Sequence, residues 1–171
     1  MRHHLSILVV LLLLDGLAPV AVHSQSASPP AALVINEIQY APSPSQNEFI
    51  ELYNRSQQTV DLRDVAFSDE RALPIPITDT STPIPPDGYA VLVRNPELFA
   101  AAFPDVPFVV PDGWAALNNS GDAVILYAND TVIDRVPYPP GWGGSDGTSL
   151  ERIDPSGPSD RAENFGSSTA P

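Results

Sequence analysis

The stretch Ile35-Asn36-Glu37-Ile38, followed after a loop by Glu48-Phe49-Ile50-Glu51-Leu52-Tyr53-Asn54, decides the fold of this chain. Both segments place acidic and amide residues among apolar ones, which is the pattern of β-strands with one buried side. The loop between them, residues 41–47, is rich in proline and serine and separates the two strands. The stretch therefore predicts the opening strands of a β-sheet.

The rest of the chain continues as short apolar runs separated by turn residues, which is typical of an all-β sandwich or barrel. Its 20 prolines, several of them beside predicted strands, disfavour long helices. The segment 73–77 is predicted to be an edge strand because its prolines cannot donate ladder hydrogen bonds. We predict strands at 33–40, 48–54, 60–62, 65–68, 73–77, 89–94, 123–127, 132–138 and 148–153, with a kink between 62 and 65 and a hairpin turn at 128–131.

One short helix is predicted after the strand at 89–94. Asn95 can cap its first turn, Pro96 suits the first helical position, and Pro104 stops it. Phe99 and Phe103 are four residues apart and share one side of this helix. We expect both rings to anchor the helix to the core.

The first 24 residues have the layout of a secretory signal peptide. Arg2 precedes an apolar run at 5–14, and Val22-His23-Ser24 offers a cleavage site before Gln25. The run is about half of the ~20 residues that a bilayer span needs, so a membrane anchor is the less favoured alternative. We expect a disordered spacer at 25–32, one domain at 33–171, no membrane span after cleavage, and a secreted or cell-envelope location.

The composition beyond the leader excludes several kinds of chemistry. All three histidines lie at or before residue 23, and the sequence contains neither cysteine nor lysine. Serine–histidine and cysteine–histidine catalysis, Schiff bases and zinc sites with nitrogen or sulfur ligands are therefore excluded. The net charge of −13 argues against binding to a nucleic acid backbone. No small-molecule substrate is evident, and we expect a protein that is not an enzyme.

Five polar residues of the opening stretch are candidate binding residues: Asn36, Glu37, Glu48, Glu51 and Asn54. Strand alternation places Glu37 on the face opposite to Asn36, and Glu51 opposite to Glu48 and Asn54. This split favours structural hydrogen bonds over one clustered site. Partly buried carboxylates are normally paired, and the candidate partners are arginines such as Arg94, Arg135 or Arg152.

Two further groups of residues are weaker candidates. Trp114 and Trp142 lie in loops beside glycines, where they are either exposed binding residues or pins that hold their loops to the core. Loop carboxylates could supply oxygen ligands to calcium, although their spacing does not match a regular calcium loop. These carboxylates are Asp69, Glu70, Asp122, Asp130 and Asp146. We expect no cofactor, with calcium as the alternative.

The opening stretch resembles the first two strands of a lamin-tail domain, most closely the bacterial exported branch of that family. Further motifs follow in the family's order: Val60-Asp61-Leu62, Phe67-Ser68-Asp69, the turn at 84–89, the loop at 117–122, Val132-Ile133-Asp134, Ser149-Leu150-Glu151-Arg152 and Asn164-Phe165-Gly166-Ser167. The chain departs from the family at Asp64-Val65, where Gly-Trp is frequent, and at Phe165, where tryptophan is frequent. The resemblance implies an immunoglobulin-like β-sandwich from Leu33 to the C-terminus.

These observations predict an exported, non-catalytic lamin-tail-like module with a binding or structural role and a protein or cell-surface partner. One alternative is an accessory domain of a larger secreted hydrolase or nuclease. The other is a calcium-dependent adhesion domain.

Overall fold

The computed structural model describes residues 32–169. The predicted signal peptide and nearly all of the predicted spacer lie outside the described residues. The strands are β1 (Leu33–Gln39), β2 (Phe49–Asn54), β3 (Val60–Asp61), β4 (Val65–Ser68), β5 (Ile75–Pro76), β6 (Pro83–Ile84), β7 (Tyr89–Val93), β8 (Asp122–Ala128), β9 (Thr131–Tyr138), β10 (Leu150–Arg152) and β11 (Phe165–Ser167), and the helix is α1 (Pro96–Ala102). Within 32–169, no helix has the length and apolar character needed to cross a membrane.

Two antiparallel sheets form the sandwich. One has the order β11-β10-β1-β2-β7, the other has the order β5-β4-β8-β9, and β3 pairs with β6 in a separate ribbon. Side chains from both sheets meet in one core, in which Ile35 and Leu52 of the first sheet pack with Phe67 and Leu126 of the second. The expected immunoglobulin-like β-sandwich is confirmed.

A β-bulge interrupts β1 in the middle of the opening stretch. Ile35 lies opposite Leu52 and Glu37 lies opposite Glu51, so Asn36 is an extra residue without a partner in β2. The extra residue shifts the alternation of side chains by one position. Leu33 and Ile35 point into the core before the bulge, and Ile38 points into it afterwards.

The helix α1 covers part of the other side of the five-stranded sheet. The Asn95 side chain accepts hydrogen bonds from the backbone N–H groups of Glu97 and Leu98, both at 3.1 Å, as the sequence predicted. Phe99 and Phe103 pack with Phe49 in a second apolar cluster, separate from the main core. Both phenylalanines anchor the helix as predicted, but to this outer cluster and not to the main core.

The structure differs from the sequence prediction mainly in the short elements. The strand predicted at 73–77 is reduced to β5, which pairs with the edge of β4. The predicted kink is one turn of 3-10 helix, Leu62–Asp64. The predicted hairpin turn is present, and Asn129 and Asp130 adopt φ angles of 48° and 61° there. The sequence did not predict β6 and β11, which contain only two and three residues.

Candidate functional site

Three glutamates lie side by side on the outer face of the five-stranded sheet, the face that points away from the main core. Glu37 of β1 lies directly opposite Glu51 of β2 on one side and Glu151 of β10 on the other. Directly opposed residues in an antiparallel sheet have Cβ atoms about 4.5–5.5 Å apart, so like charges at these positions repel each other. We call these three residues the acidic row.

The bulge brings Asn36 to the acidic row. The Asn36 Nδ2 donates a hydrogen bond of 2.9 Å to Glu51 Oε1. Strict alternation had placed Asn36 on the face opposite to Glu37, and this prediction was wrong because the extra residue in β1 changes the alternation. Asn36, Glu37 and Glu51 are therefore neighbours.

The surroundings of Glu37 and Glu51 disfavour ionisation of these two carboxyl groups. Burial raises the pKa of Glu37, a hydrogen bond donated by Ser149 opposes this rise, and the charges of Glu51 and Glu151 add to it. Burial likewise raises the pKa of Glu51, opposed by the hydrogen bond from Asn36 and increased by the charge of Glu151. None of the ion pairs formed within residues 32–169 includes a member of the row.

Apolar side chains form one wall beside the acidic row. A depression of about 280 Å³ lies between the sheet and α1, and it is lined by all three glutamates together with Phe49, Phe103 and Val106, among others. We call it the acidic groove. Tyr53 and Tyr89 also lie on this face of the sheet, with ring centroids 4.8 Å apart. The face thus combines carboxylates with aromatic rings, a combination that suits cations with an apolar stem.

A second depression of about 390 Å³ adjoins the groove and shares Glu37, Phe49 and Phe103 with it. Gln39 and Asn47 also line it, and both are deeply buried, with relative exposures of 7% and 8%. Gln39 Nε2 donates to the Gly147 carbonyl over 2.8 Å. Gln39 Oε1 and Asn47 Oδ1 have no hydrogen-bond partner among the described residues. We call this depression the amide pocket.

Glu48 and Trp114 form a brace away from the acidic row. Glu48 is buried and accepts hydrogen bonds from Arg94 Nη1 at 2.9 Å and from Trp114 Nε1 at 2.6 Å. The predicted pairing of Arg94 with a carboxylate of the opening stretch is confirmed. The other two candidate partners, Arg135 and Arg152, pair instead with Glu70 and Asp134.

Asn54 and Trp142 also hold the structure together. Asn54 is fully buried, and its Nδ2 lies 2.7 Å from the Gln58 carbonyl and 2.9 Å from the Ile84 carbonyl. The ring of Trp142 stacks on Phe165 with centroids 5.5 Å apart. Both contacts fix loops to the sandwich.

A comparison with family models matches residues 26–140 to the Lamin Tail Domain. The chain belongs to the lamin-tail domain family. A comparison with curated proteins gave no significant match. The sandwich described above agrees with the immunoglobulin-like fold of lamin-tail domains, and this family is structural and not typically catalytic.

The calcium candidates of this lamin-tail domain lie in four different parts of the chain, with Asp69 and Glu70 together after β4 and Asp122 at the start of β8. Asp69 accepts a hydrogen bond of 2.7 Å from the backbone of Arg71, Glu70 pairs with Arg135, and Asp122 accepts from the side chain of Asn118. The remaining two, Asp130 and Asp146, lie in the hairpin turn and in the glycine-rich loop formed by residues 141–147. Residues 32–169 contain no group of three or more histidine, cysteine or acidic residues arranged to hold a metal ion. Calcium binding stays a prediction.

Sequence reasoning missed part of the site in this lamin-tail domain. Glu151 was read only as part of a family motif, although its alternation with Leu150 and Arg152 indicates an outward position. Gln39 and Asn47 carry no signal in the sequence, because their burial depends on the distant loop at 147–149 and on α1. Tyr53 and Tyr89 become neighbours only through the pairing of β2 with β7.

Proposed function

We propose that this protein is an exported, non-catalytic binding module that holds a basic protein segment on its acidic row. One observation carries the proposal: Glu37 lies directly between Glu51 and Glu151, and none of the three has a basic partner among the described residues. Opposed like charges in a sheet destabilise the fold. A cationic partner would relieve this repulsion and gain charge-assisted hydrogen bonds.

Composition and family support a role without catalysis. Beyond residue 24 the chain offers no histidine, cysteine or lysine as a nucleophile or base. Lamin-tail domains are not typically catalytic. The signal-peptide pattern at residues 1–24 supports export, so the partner would be a secreted or cell-surface protein with a basic, extended segment.

Calorimetric titration with a short peptide of alternating basic and small residues tests the proposal. We expect binding that weakens as the salt concentration rises. Exposed ion pairs contribute about 0.2–1 kcal/mol each, so neutralising the row in the triple variant Glu37→Gln, Glu51→Gln and Glu151→Gln should weaken binding on the order of tenfold.

A matched triple variant controls for net charge. Asp79→Asn, Asp112→Asn and Glu163→Gln remove the same number of charges from exposed positions outside the acidic row. We expect this control to bind like the unmodified protein. Equal weakening by both variants would show a non-specific effect of the overall negative charge, and it would contradict the proposed site.

A further inference from the structure

We infer that Tyr53, Tyr89 and Asp87 form an arginine-selective subsite, which receives the guanidinium group of one arginine side chain from the basic segment. We call these three residues the tyrosine subsite. The inference rests on the proposed function, because the subsite lies beside the acidic row on the same face of the sheet. It adds a chemical preference, since the acidic row by itself attracts both lysine and arginine.

The tyrosine subsite continues the acidic row along β2 and β7. Glu51 and Tyr53 are two residues apart in β2, so both side chains point outward and lie about 6.5 Å apart along the strand. Tyr53 lies directly opposite Tyr89 of β7. Burial raises the pKa of the Tyr89 hydroxyl, and three nearby negative charges raise it further, those of Glu51, Asp87 and Glu151. Carboxylates of the row and of the subsite therefore surround one aromatic ring.

The Tyr89 ring is open to a partner. The exposed fraction of Tyr89 is 55%. β7 is the last strand of its sheet, and the bridge between Leu92 and Val109 lies towards its other end. Within residues 32–169, the side of Tyr89 that faces away from Tyr53 thus has no neighbouring strand.

Asp87 is held in place and can still accept hydrogen bonds from a ligand. The hydroxyl group of Tyr53 donates to Asp87 Oδ1 over 2.9 Å. Asp87 is exposed, and none of the ion pairs formed within residues 32–169 includes it. A carboxylate has about four acceptor positions on its two oxygens, so this one hydrogen bond leaves most of its capacity free.

The chemistry of the subsite matches a guanidinium group better than an ammonium group. A guanidinium group is planar, stacks on aromatic rings and donates a fork of hydrogen bonds to a carboxylate. An ammonium group is compact and strongly hydrated, so it gains less from the face of a ring. The exposed ring of Tyr89 and the carboxylate of Asp87 offer the two contacts that a guanidinium group makes.

Charge and spacing identify an extended basic segment of a partner protein as the occupant. The carboxylates on this face complement basic side chains, whereas the net charge of −13 opposes close approach of a second copy. Alternate side chains of an extended chain point the same way and lie about 6.5 Å apart, which matches the spacing of Glu51 and Tyr53. A partner with arginine at one position and a basic residue two positions away can therefore contact the tyrosine subsite and the acidic row together.

A nuclear magnetic resonance titration of the protein tests the subsite directly. The probes are two Gly/Ser peptides with basic residues at alternate positions, identical except that one carries arginines and the other lysines. We expect the ring signals of Tyr53 and Tyr89 to shift with the arginine peptide and to shift much less with the lysine peptide. We also expect the arginine peptide to bind about fivefold more tightly, as one exposed contact between a cation and a ring implies.

Variants separate the ring contact from the general attraction of the acidic row. Tyr89→Leu removes the ring and should reduce the preference for arginine towards unity, while the matched variant Tyr89→Phe keeps the ring and should retain the preference. Asp87→Asn should also reduce it, because asparagine tolerates the φ of 58° at this position but offers no carboxylate. Asp79→Asn removes an exposed charge elsewhere and should leave the preference unchanged. Thermal melts confirm that each variant folds, and the ring signals of the unmodified protein decide the matter if one does not.

The two proposals fail in different ways. If neither peptide binds, the proposed function is wrong and the subsite with it. If both peptides bind equally, depend on Glu51 and Glu151, and leave the tyrosine ring signals in place, the proposed function stands and the arginine subsite is overturned. If the protein alone forms a dimer that Tyr89→Leu abolishes, a second copy occupies this face, and a partner's arginine is the wrong occupant.

Discussion

Arg152 donates a hydrogen bond from Nη2 to Asp134 Oδ2 over 2.9 Å, and this buried ion pair joins the two sheets of the sandwich. The exposed fractions of the two side chains are 0% and 5%. Arg152 Nε also donates to the Ile35 carbonyl, and Asp134 Oδ2 accepts from the Ile35 N–H, each over 2.8 Å. The two side chains therefore provide hydrogen-bond partners for both the N–H and the carbonyl group of Ile35. Ile35 lies beside the bulge, outside the part of β1 that pairs with β10.

Breaking this ion pair should destabilise the fold strongly. The substitution Arg152→Met leaves the Asp134 carboxylate buried without its counter-charge, which is expected to lower the free energy of unfolding by about 3–5 kcal/mol. Urea unfolding followed by tryptophan fluorescence measures the change. The control is Arg161→Met, because Arg161 and its partner Asp160 are both 67% exposed and a pair of this kind contributes little. Similar losses in the two variants would contradict the structural role of the buried pair.

Neutralising the acidic row should stabilise the fold near neutral pH. The pKa values of Glu37 and Glu51 are raised in the folded state, so folding favours their protonated forms. Their ionisation lowers the free energy of unfolding. This loss is absent below the pKa of the unfolded chain, and it grows as the pH rises through the raised pKa of the folded protein. We expect Glu37→Gln and Glu51→Gln to melt at higher temperature than the unmodified protein at neutral pH, with a difference that shrinks towards about pH 4.

The control for this pH dependence is Glu163→Gln, which removes an exposed carboxylate outside the row and should leave the melting temperature nearly unchanged. A fall in melting temperature on substitution of Glu37 or Glu51 would mean that these glutamates are structural supports. Gain of stability together with loss of peptide binding is the combination expected of a binding site.

Removing the indole donor of Trp114 should destabilise the brace around Glu48. In Trp114→Phe the ring contact with Phe67, at 5.4 Å between centroids, can persist while Glu48 Oε2 loses its hydrogen bond. A buried acceptor left without a partner costs about 1–3 kcal/mol, and thermal unfolding measures this loss. Trp142→Phe is the comparison, since the contact of Trp142 with Phe165 is a ring stack that phenylalanine can retain. A larger loss at Trp142 than at Trp114 would contradict the brace.

The glycine-rich loop should tolerate a side chain at Gly141 better than at Gly143. A Cβ atom at Gly143 would lie 2.5 Å from the Ser167 nitrogen and 2.6 Å from the Gly166 carbonyl carbon, and its φ is +127°. At Gly141, where φ is +98°, no atom lies within 4 Å of the added Cβ. We expect Gly141→Ala to cost about 1–3 kcal/mol from backbone strain alone, and Gly143→Ala to cost more. Equal melting temperatures for the two variants would show that the loop can move away from β11.

Export of the chain should remove its first 24 residues. Expression in a bacterial host followed by intact mass measurement of the exported product is expected to give a chain that begins at Gln25. A substitution of Ser24 by a large residue should block cleavage, because signal peptidase sites require small residues near the cut. An exported product that still carries residues 1–24 would favour the membrane-anchor alternative.

The sequence predicted most of the sandwich because its long strands have strong apolar alternation and clear turns. It also predicted the first turn of α1, because the capping by Asn95 and the preference of proline for the first helical position depend only on neighbouring residues. The bulge at Asn36 was missed because alternation assumes regular pairing, and an extra residue in one strand is defined only by its partner strand. Glu151 joins Glu37 through pairing between residues far apart in the chain, which a local pattern does not encode.

The bulge in β1 has a consequence for how the surface of this domain can diversify. Leu33 and Ile35 fill the interior before the bulge, and Ile38 and Tyr40 fill it after the bulge. The positions that specify the interior are therefore different from those that form the outer face. Substitutions at Glu37 and Gln39 are then expected to change the chemistry of the outer face without altering the interior. Deletion of Asn36 would remove the bulge and restore regular alternation, with Ile35 and Ile38 both still facing the core and Glu37 still facing outward. This segment should thus be permissive to substitution on its outer side and to loss of its one extra residue.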